Sequence, residues 1–358
     1  MRLKLLVVGG ALQGGEVLYL AEKAGWETLL CDRKKDPPAL NLAGSFFQAD
    51  WLTLSLKEIE RLCSNFDLII PALEDKAVLN SLYKAKALNI IPPVAHDFEA
   101  YEISSSKLRS KKLFQELNID CAASWRPGAF GDFMVKPDDL SGSRGVRHFF
   151  CSKEVEEVFP DERSRKGLVV EEFLDGPSYS LEVTAKDGVS LCFEVTQLCF
   201  DNFYDCRMVI APSSLSENLE QDFKAAAHKL AKALKLTGIM DLEIIVARCR
   251  LRLLEIDARF PSQTPIVVYF SSSDNLVERL ASCYLDYPLP PAPSLRSRKV
   301  VLEHVLVRPG LVESMGEHIM TNFGPLTRHY NFMGAREALV AGNIKTGKFA
   351  ATLIKMED

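Results

Sequence analysis

Over residues 1–103, short unbroken apolar runs alternate with stretches whose apolar positions recur every three or four residues. "KLLVVGG", "WETLLCD" and "FDLIIPAL" read as strands buried on both faces. "GEVLYLAEKAG", "SLKEIERLCSN" and "DKAVLNSLYKAKALN" read as helices. A β-α-β-α-β-α order needs right-handed crossovers, so it predicts a Rossmann-like parallel sheet. The pattern changes at Ser104. A helix, "SSKLRSKKLFQELNI", is followed by the short β-type runs "DFMVKP", "VRHFFC", "GLVVEEFL", "YSLEVTA" and "SLCFEVTQLCF", which predict antiparallel sheet. "NLEQDFKAAAHKLAKALKL" predicts a long helix before the strand pair in "MDLEIIVARCRLRLLEID", and "NLVERLASCYL" a further helix. "YPLPPAPSLRSR" reads as a proline-rich linker. The expected division is a parallel α/β domain over 1–103, an α+β unit over 104–290 with a mobile small lobe about 121–176, and a C-terminal region over 291–358.

Composition narrows the class without choosing a chemistry. The 358 residues are 47% hydrophobic and 25% charged, as in ordinary globular proteins. A net charge of −5 speaks against a nucleic-acid partner, which would call for excess lysine and arginine. The apolar run after Met1 is too short for a signal peptide, and no stretch approaches a membrane span. A cytoplasmic protein with no membrane partner is expected. The nine cysteines are scattered singly with no C-x-x-C pair, so buried thiols are expected rather than a zinc site.

Candidate chemistry begins at the first turn. Glycines at 9, 10, 14 and 15 do not match the G-x-G-x-x-G spacing of a dinucleotide site, although Asp32 ends the second strand where a ribose-binding acid would stand. An NAD-dependent oxidoreductase is therefore the lesser reading. A stronger pattern lies downstream. Side chains alternate along a strand, so Glu255, Asp257 and Arg259 share a face. If "DLEIIV" and "RLLEID" form a hairpin with Arg248, Cys249 and Arg250 as its loop, Glu243 faces Glu255 and Asp241 faces Asp257. Like charges opposed across a ladder are destabilising, and a hard cation held by oxygen ligands, such as Mg²⁺, removes the conflict. Lys107 opens a helix, and Lys136 precedes a loop containing Ser141, Gly142, Ser143 and Gly145, whose backbone N–H groups can fold over phosphates. Glu171, Glu172, Phe173 and Leu174 end a strand that can offer its backbone edge and an acid to an adenine.

This succession of a helix-start lysine, a strand lysine before a glycine loop, a Glu-Glu hinge and paired acidic strands ending in "LEIDARFPS" resembles the ATP-grasp ligases over roughly residues 1 to 290. "LEIDAR" resembles the family signature E-[IV]-N-x-R, with Asp257 where asparagine is usual. The resemblance implies an ATP-grasp fold that activates a carboxylate as an acyl phosphate for attack by an amine. By that resemblance Lys107, Lys136 and the loop hold phosphates, and residues 171–174 receive adenine. Glu243, Glu255 and Asp257 carry magnesium, two ions being expected, and Arg259 stabilises the acyl phosphate. Lys136 and Arg259 are the expected catalytic side chains. Ser178 or Ser180 stands where many relatives have a ribose-contacting glutamate, which leaves Glu182 as a substitute.

More narrowly, the whole chain, including "VVGGALQGGEVLYLAEKAGWETLLCDR" and "GNIKTGKFAATLIK", resembles the ligases of pyrrolysine biosynthesis. These join 3-methyl-D-ornithine to the ε-amine of L-lysine, so the implied partners are those amino acids, or D-ornithine in place of its methylated form. Other ATP-grasp ligases, of carboxyaminoimidazole-ribotide synthase or D-Ala–D-Ala type, are the alternatives. Substrates carrying an extra amine require acids, and Glu74, Asp205 and Asp241 are the candidates. Glu74 ends a parallel strand, the edge at which such sheets gather ligands, near the turn at Ala11 and Leu12 that could hold the lysine carboxylate. Ser178, Tyr179 and Ser180 would face the ornithine derivative, with Asp257 and Arg259 beside it, and Arg207 would pair with a phosphate or carboxylate. The last sixty residues carry no interpretable motif. Completing a pocket wall or a homodimer are the roles open to them.

Overall fold

The computed structural model describes residues 2–288 and 297–357. Its N-terminal part contains β1 (Lys4–Val8), α1 (Leu12–Lys23), β2 (Glu27–Asp32), β3 (Ser45–Gln48), α2 (Leu56–Cys63), β4 (Leu68–Pro71) and α3 (Lys76–Ala87). The four strands form a parallel sheet in the order β3-β2-β1-β4, with Leu6 paired to both Leu29 and Ile69. Every residue of β1 beyond Lys4 is buried, which is why the strand reads as an unbroken apolar run. Two short helices follow: α4 (Phe98–Ser104), capped by Asp97, and α5 (Lys107–Glu116), capped by Ser106. The cap places Lys107 at the first position of α5.

A small lobe contains β5 (Phe133–Pro137), β6 (Arg147–Phe149), α6 (Ser152–Val158) and β7 (Leu168–Glu172). Its strands run in the order β6-β5-β7 over a core of Phe133, Val135, Phe149 and Val155.

The rest of the chain builds one sheet of eleven strands, antiparallel throughout. These are β8 (Ser178–Lys186), β9 (Val189–Cys192), β10 (Thr196–Phe200), β11 (Cys206–Ala211), β12 (Gly238–Ala247), β13 (Arg250–Asp257), β14 (Val300–Arg308), β15 (Leu311–Ser314), β16 (Thr327–Phe332), β17 (Ala335–Asn343) and β18 (Lys348–Met356). The order is β13-β12-β8-β10-β11-β14-β18-β17-β16, with β9 on β8 and β15 on β14. Between them come the helices α7 (Glu217–Leu234), α8 (Thr264–Ser272) and α9 (Leu276–Tyr284). The C-terminal strands thus continue the same sheet, and β17 reaches back to α1 through Glu337, which accepts from Tyr19 Oη at 2.6 Å and Lys23 Nζ at 2.8 Å.

Two expectations need correction. The run "SLCFEVTQLCF" is two strands, β9 and β10, interrupted over 193–195. The turn between β12 and β13 holds two residues, since Ala247 pairs with Arg250. Leu254 then bulges, because Ile244 pairs with Leu253 while Glu243 pairs with Glu255. The shorter turn and the bulge compensate, so the acids meet as the sequence implies. The proline-rich linker falls for the most part on residues 289–296, outside those described. Among the described residues, no helix is long and apolar enough to cross a membrane.

Candidate functional site

A cavity of about 920 Å³ lies where the small lobe, β8, β10, the β12–β13 hairpin and the turn at Glu317 and His318 converge. Its floor is the hairpin. Asp241 stands opposite Asp257 and Glu243 opposite Glu255, and all four line the cavity. The bulge also breaks strict alternation: Leu253 and Ile256 are both buried on the core side, while Leu254 joins Glu255 on the cavity side. Burial drives the Glu243 and Asp257 carboxyls well above the usual range. For Glu243 the neighbouring Glu255, Asp241 and Asp257 add to that effect; for Asp257, Arg259 opposes it. Asp241 is pushed up to about 7, again chiefly by burial, and its Oδ1 lacks a hydrogen-bond partner. Asp241, Glu243 and Asp257, buried side by side, cannot all ionise alone.

Arg259 sits among them. Its Nε donates to Glu74 Oε1 at 2.8 Å and its Nη2 to Asp257 Oδ2 at 3.0 Å, while Nη1 lies 3.7 Å from Asp241 Oδ1. Glu74 is a junction. It also accepts from Gln13 Nε2 at 3.1 Å and from the Ser141 hydroxyl, so it ties α1, the glycine loop and Arg259 together. Burial favours its neutral form, but Arg259 and these hydrogen bonds outweigh that and hold the carboxyl below its usual range. Just past Arg259, Gln263 takes a left-handed φ of 67°, and its N–H and that of Ile266 donate to buried Glu16 of α1 at 3.0 and 3.1 Å. A non-glycine residue in that conformation next to a cavity is backbone strain retained at a site.

The opposite wall is basic. Lys136 lies 2.8 Å and Lys111 2.6 Å from Glu171. Desolvation opposes the charge on Lys136, and Glu171 more than restores it, so the amine stays above its ordinary range. Lys107 Nζ donates to the Leu140 carbonyl at 2.6 Å and stands 3.9 Å from Glu255. The glycine loop has left-handed φ at Gly142, Ser143 and Gly145, and the Ser143 hydroxyl donates to the Tyr204 carbonyl at 2.6 Å. Along the hinge, Glu172 N–H bonds to the Ala123 carbonyl and Phe173 N–H to that of Asp132. The Glu172 carboxylate holds Arg252 and the Ala123 N–H. Among the described residues, no partner is found for the Leu174 N–H, which leaves it as the hinge amide open to a ligand.

The cavity therefore gathers Lys107, Lys136, Ser141, Gly142, Ser143, Glu171, Glu172, Phe173, Leu174, Ser178, Ser180, Glu243, Glu255, Asp257, Arg259 and Glu74. Gly145 stands behind the loop, where a Cβ would strike Pro137 at 2.9 Å. Other expected residues are absent from its walls. Tyr179 is packed in the core under α7. Glu182 lies wholly buried beneath the floor, pushed up to about 7 by burial, and so does not face a ribose. Arg207, on β11, is not among the lining residues and its Nε has no hydrogen-bond partner among the described residues; Ala11 and Leu12 are likewise off the walls, although their neighbour Gln13 reaches Glu74. Sequence reasoning missed Lys111, Gln13, Glu317 and His318. The last two sit on a short 3₁₀ helix, Glu317–Thr321, inside the region that carried no motif. In "ESMGEHIM" they stand among other polar residues, Glu313 and Ser314, so no pattern marks them in the sequence. Among the described residues, Asp205, Glu317 and His318 bring one ligand atom each to within 4.8 Å of one another, closer than the hairpin acids come as a trio.

A two-lobed cavity with paired acids below and lysines under a glycine loop above is the arrangement of the ATP-grasp domain, and residues 105–263 match that family. The chain belongs to the ATP-grasp ligases. Within them, it is 35% identical over 341 residues to the 3-methyl-D-ornithine–L-lysine ligase of Methanosarcina barkeri, covering 94% of this chain and 89% of that protein. The fold is also that of the N5-carboxyaminoimidazole synthetase of Staphylococcus aureus complexed with ADP (TM-score 0.73, 15% identity, 100% of this chain and 94% of that one). A biotin carboxylase from Campylobacter jejuni is similar in the same way (TM-score 0.74, 13% identity, 99% and 88%).

Proposed function

We propose that the chain couples the carboxylate of 3-methyl-D-ornithine, or of D-ornithine, to the ε-amine of L-lysine, converting ATP to ADP and phosphate. The ligase class rests on one observation above others: four acids paired in register across β12 and β13, facing the lysines that flank a glycine loop. The choice of amino acids rests on similarity to ligases of that name over nearly the whole chain.

In this reading the adenine edge meets the Leu174 N–H and the hinge backbone. Lys107, Lys136 and the loop from Ser141 to Gly145 hold the phosphates. The site fits a hard divalent cation, because the donors are all oxygen, Asp241 Oδ1 is orphaned, and burial would otherwise force carboxyls to take up protons. Glu243, Glu255 and Asp257 would hold Mg²⁺, as two ions, and when bound it neutralises charge on the nucleotide oxygens. A substrate carboxylate oxygen attacks the γ-phosphorus, ADP leaves, and an acyl phosphate forms. The amine then attacks the carbonyl carbon, phosphate leaves with the electron pair of the C–O bond, and an amide remains. Arg259, held rigid by Glu74 and Asp257, faces the charge that develops at the acyl oxygen. Ser178 and Ser180 line the wall where the ornithine derivative would lie.

The test supplies ATP, Mg²⁺, D-ornithine and L-lysine and follows products by mass spectrometry. ADP, phosphate and one amide are expected, and formation of AMP would exclude the acyl phosphate.

A further inference from the structure

The amine that attacks an acyl phosphate must first lose a proton, since a lysine side chain is an ammonium at neutral pH. Lys136 and Arg259 are held in their charged forms and cannot take it, Glu74 is engaged by Arg259, and the hairpin acids face the nucleotide. Beside them stands an unused pair. His318 Nδ1 lies 2.9 Å from Asp205 Oδ1, and Asp205 also accepts the His318 N–H at 3.3 Å. With Nδ1 donating to the Asp205 oxygen, Nε2 of the neutral ring keeps its lone pair. That Nε2 points at the glycine loop, where a Cβ on Gly142 would come within 2.7 Å of it. The neighbouring loop residue, Ser141, bonds Glu74, which holds Arg259. Glu317, next in the chain, accepts from Ser262 at 3.4 Å, in the segment just past Arg259. The Asp–His pair thus stands one loop residue away from the junction at which the acyl group would be activated.

Resting on the ligase reading, we infer that His318 is the general base that deprotonates the incoming amine, with Asp205 as the positioning residue that fixes its tautomer. The ammonium gives one proton to His318 Nε2, the freed nitrogen lone pair attacks the acyl carbon, and imidazolium is stabilised by Asp205; as the C–O bond breaks, the departing phosphate takes the second N–H proton and the amide remains. Glu317 and Asp205 also give the ammonium carboxyl oxygens to approach. The charged and titratable groups facing His318 are Asp205, Glu317, Arg144 and His304. Their balance, led by the Asp205 hydrogen bond, lifts the imidazole above its ordinary range.

Hydroxylamine separates this step from the rest, because it is already uncharged at neutral pH and traps acyl phosphates as hydroxamates. With ATP, Mg²⁺ and D-ornithine, His318→Gln and His318→Ala are expected to lower coupling to lysine by about 10²–10⁴, the usual worth of a general base. Hydroxamate formation should fall far less. The acid limb of the wild-type lysine rate should be missing with hydroxylamine, and Asp205→Asn should move that limb to lower pH. Equal losses with both nucleophiles, or an unchanged lysine rate in both variants, would overturn the assignment. No hydroxamate from the wild-type chain would instead overturn the ligase reading beneath it.

Discussion

Arg259 carries more of the site than any other side chain, because its three nitrogens address Glu74, Asp241 and Asp257 at once. Lysine could keep the charge but not the planar fork. Arg259→Lys should therefore fold and bind ATP, yet lose about 10²–10³ in coupling rate, the scale of one lost oxyanion donor. Rates within a few-fold of wild type would remove Arg259 from the chemistry. Two buried histidines give a separate test of the fold. Burial depresses both His96 and His304 to about 4. His96 is wedged against Phe98 and Tyr101, and Nε2 of each histidine lacks a partner. The unfolded chain takes up these protons near pH 6.5 and the folded chain only near 4. Their contribution to stability is thus whole above 6.5, falls progressively as pH drops from 6.5 to 4, and is gone below 4. At pH 5 each depressed imidazole costs about 2 kcal/mol relative to pH 8. His96→Phe should shrink the loss between those pH values by that amount in urea unfolding; an unchanged difference would refute the burial argument.

At the level of elements, the sequence spoke clearly where alternation is strict and one face is buried. The opposition of Glu243 to Glu255 followed from counting residues around a presumed loop. It held because the two-residue turn and the bulge at Leu254 offset one another. The turn residues themselves were misjudged: Arg248 and Cys249 have φ of 52° and 61°, a conformation that glycine or asparagine adopts with less strain. Replacing them by Asn-Gly should raise stability by about 1 kcal/mol without altering coupling, read as a shift in the urea midpoint. A loss of stability would show that the strain lies elsewhere. Helix α8 was missed for a physical reason. Eight of its nine residues are buried, so it has no polar face from which a helical period could be read. His318 was missed because a lone histidine on a short 3₁₀ helix has no spacing rule; only the fold brings it to Asp205.

Seen whole, the molecule closes on itself through its last strands. Glu337 of β17 is 5% exposed and joins Tyr19 and Lys23 of α1, while Arg328 of β16 binds Glu22 and lies over the Tyr19 ring. These contacts fix α1, whose Gln13 supports Glu74 and whose Glu16 caps α8, so the C-terminal strands bear on the site from a distance. Glu337→Ala leaves Lys23 facing no acid and should destabilise the chain by about 3 kcal/mol in chemical unfolding, with a fall in coupling rate only near the new midpoint. A stability within 1 kcal/mol of wild type, which is about the yield of a surface pair, would mean the two ends are held by other contacts.

The central claim is that a carboxylate on one amino acid becomes an acyl phosphate in the cavity under Arg259. D-ornithine labelled with ¹⁸O in its carboxylate, incubated with ATP, Mg²⁺ and L-lysine, tests it most directly. Phosphorus NMR should find one ¹⁸O in the inorganic phosphate released, alongside ADP. Unlabelled phosphate, or label carried in AMP, would contradict the account.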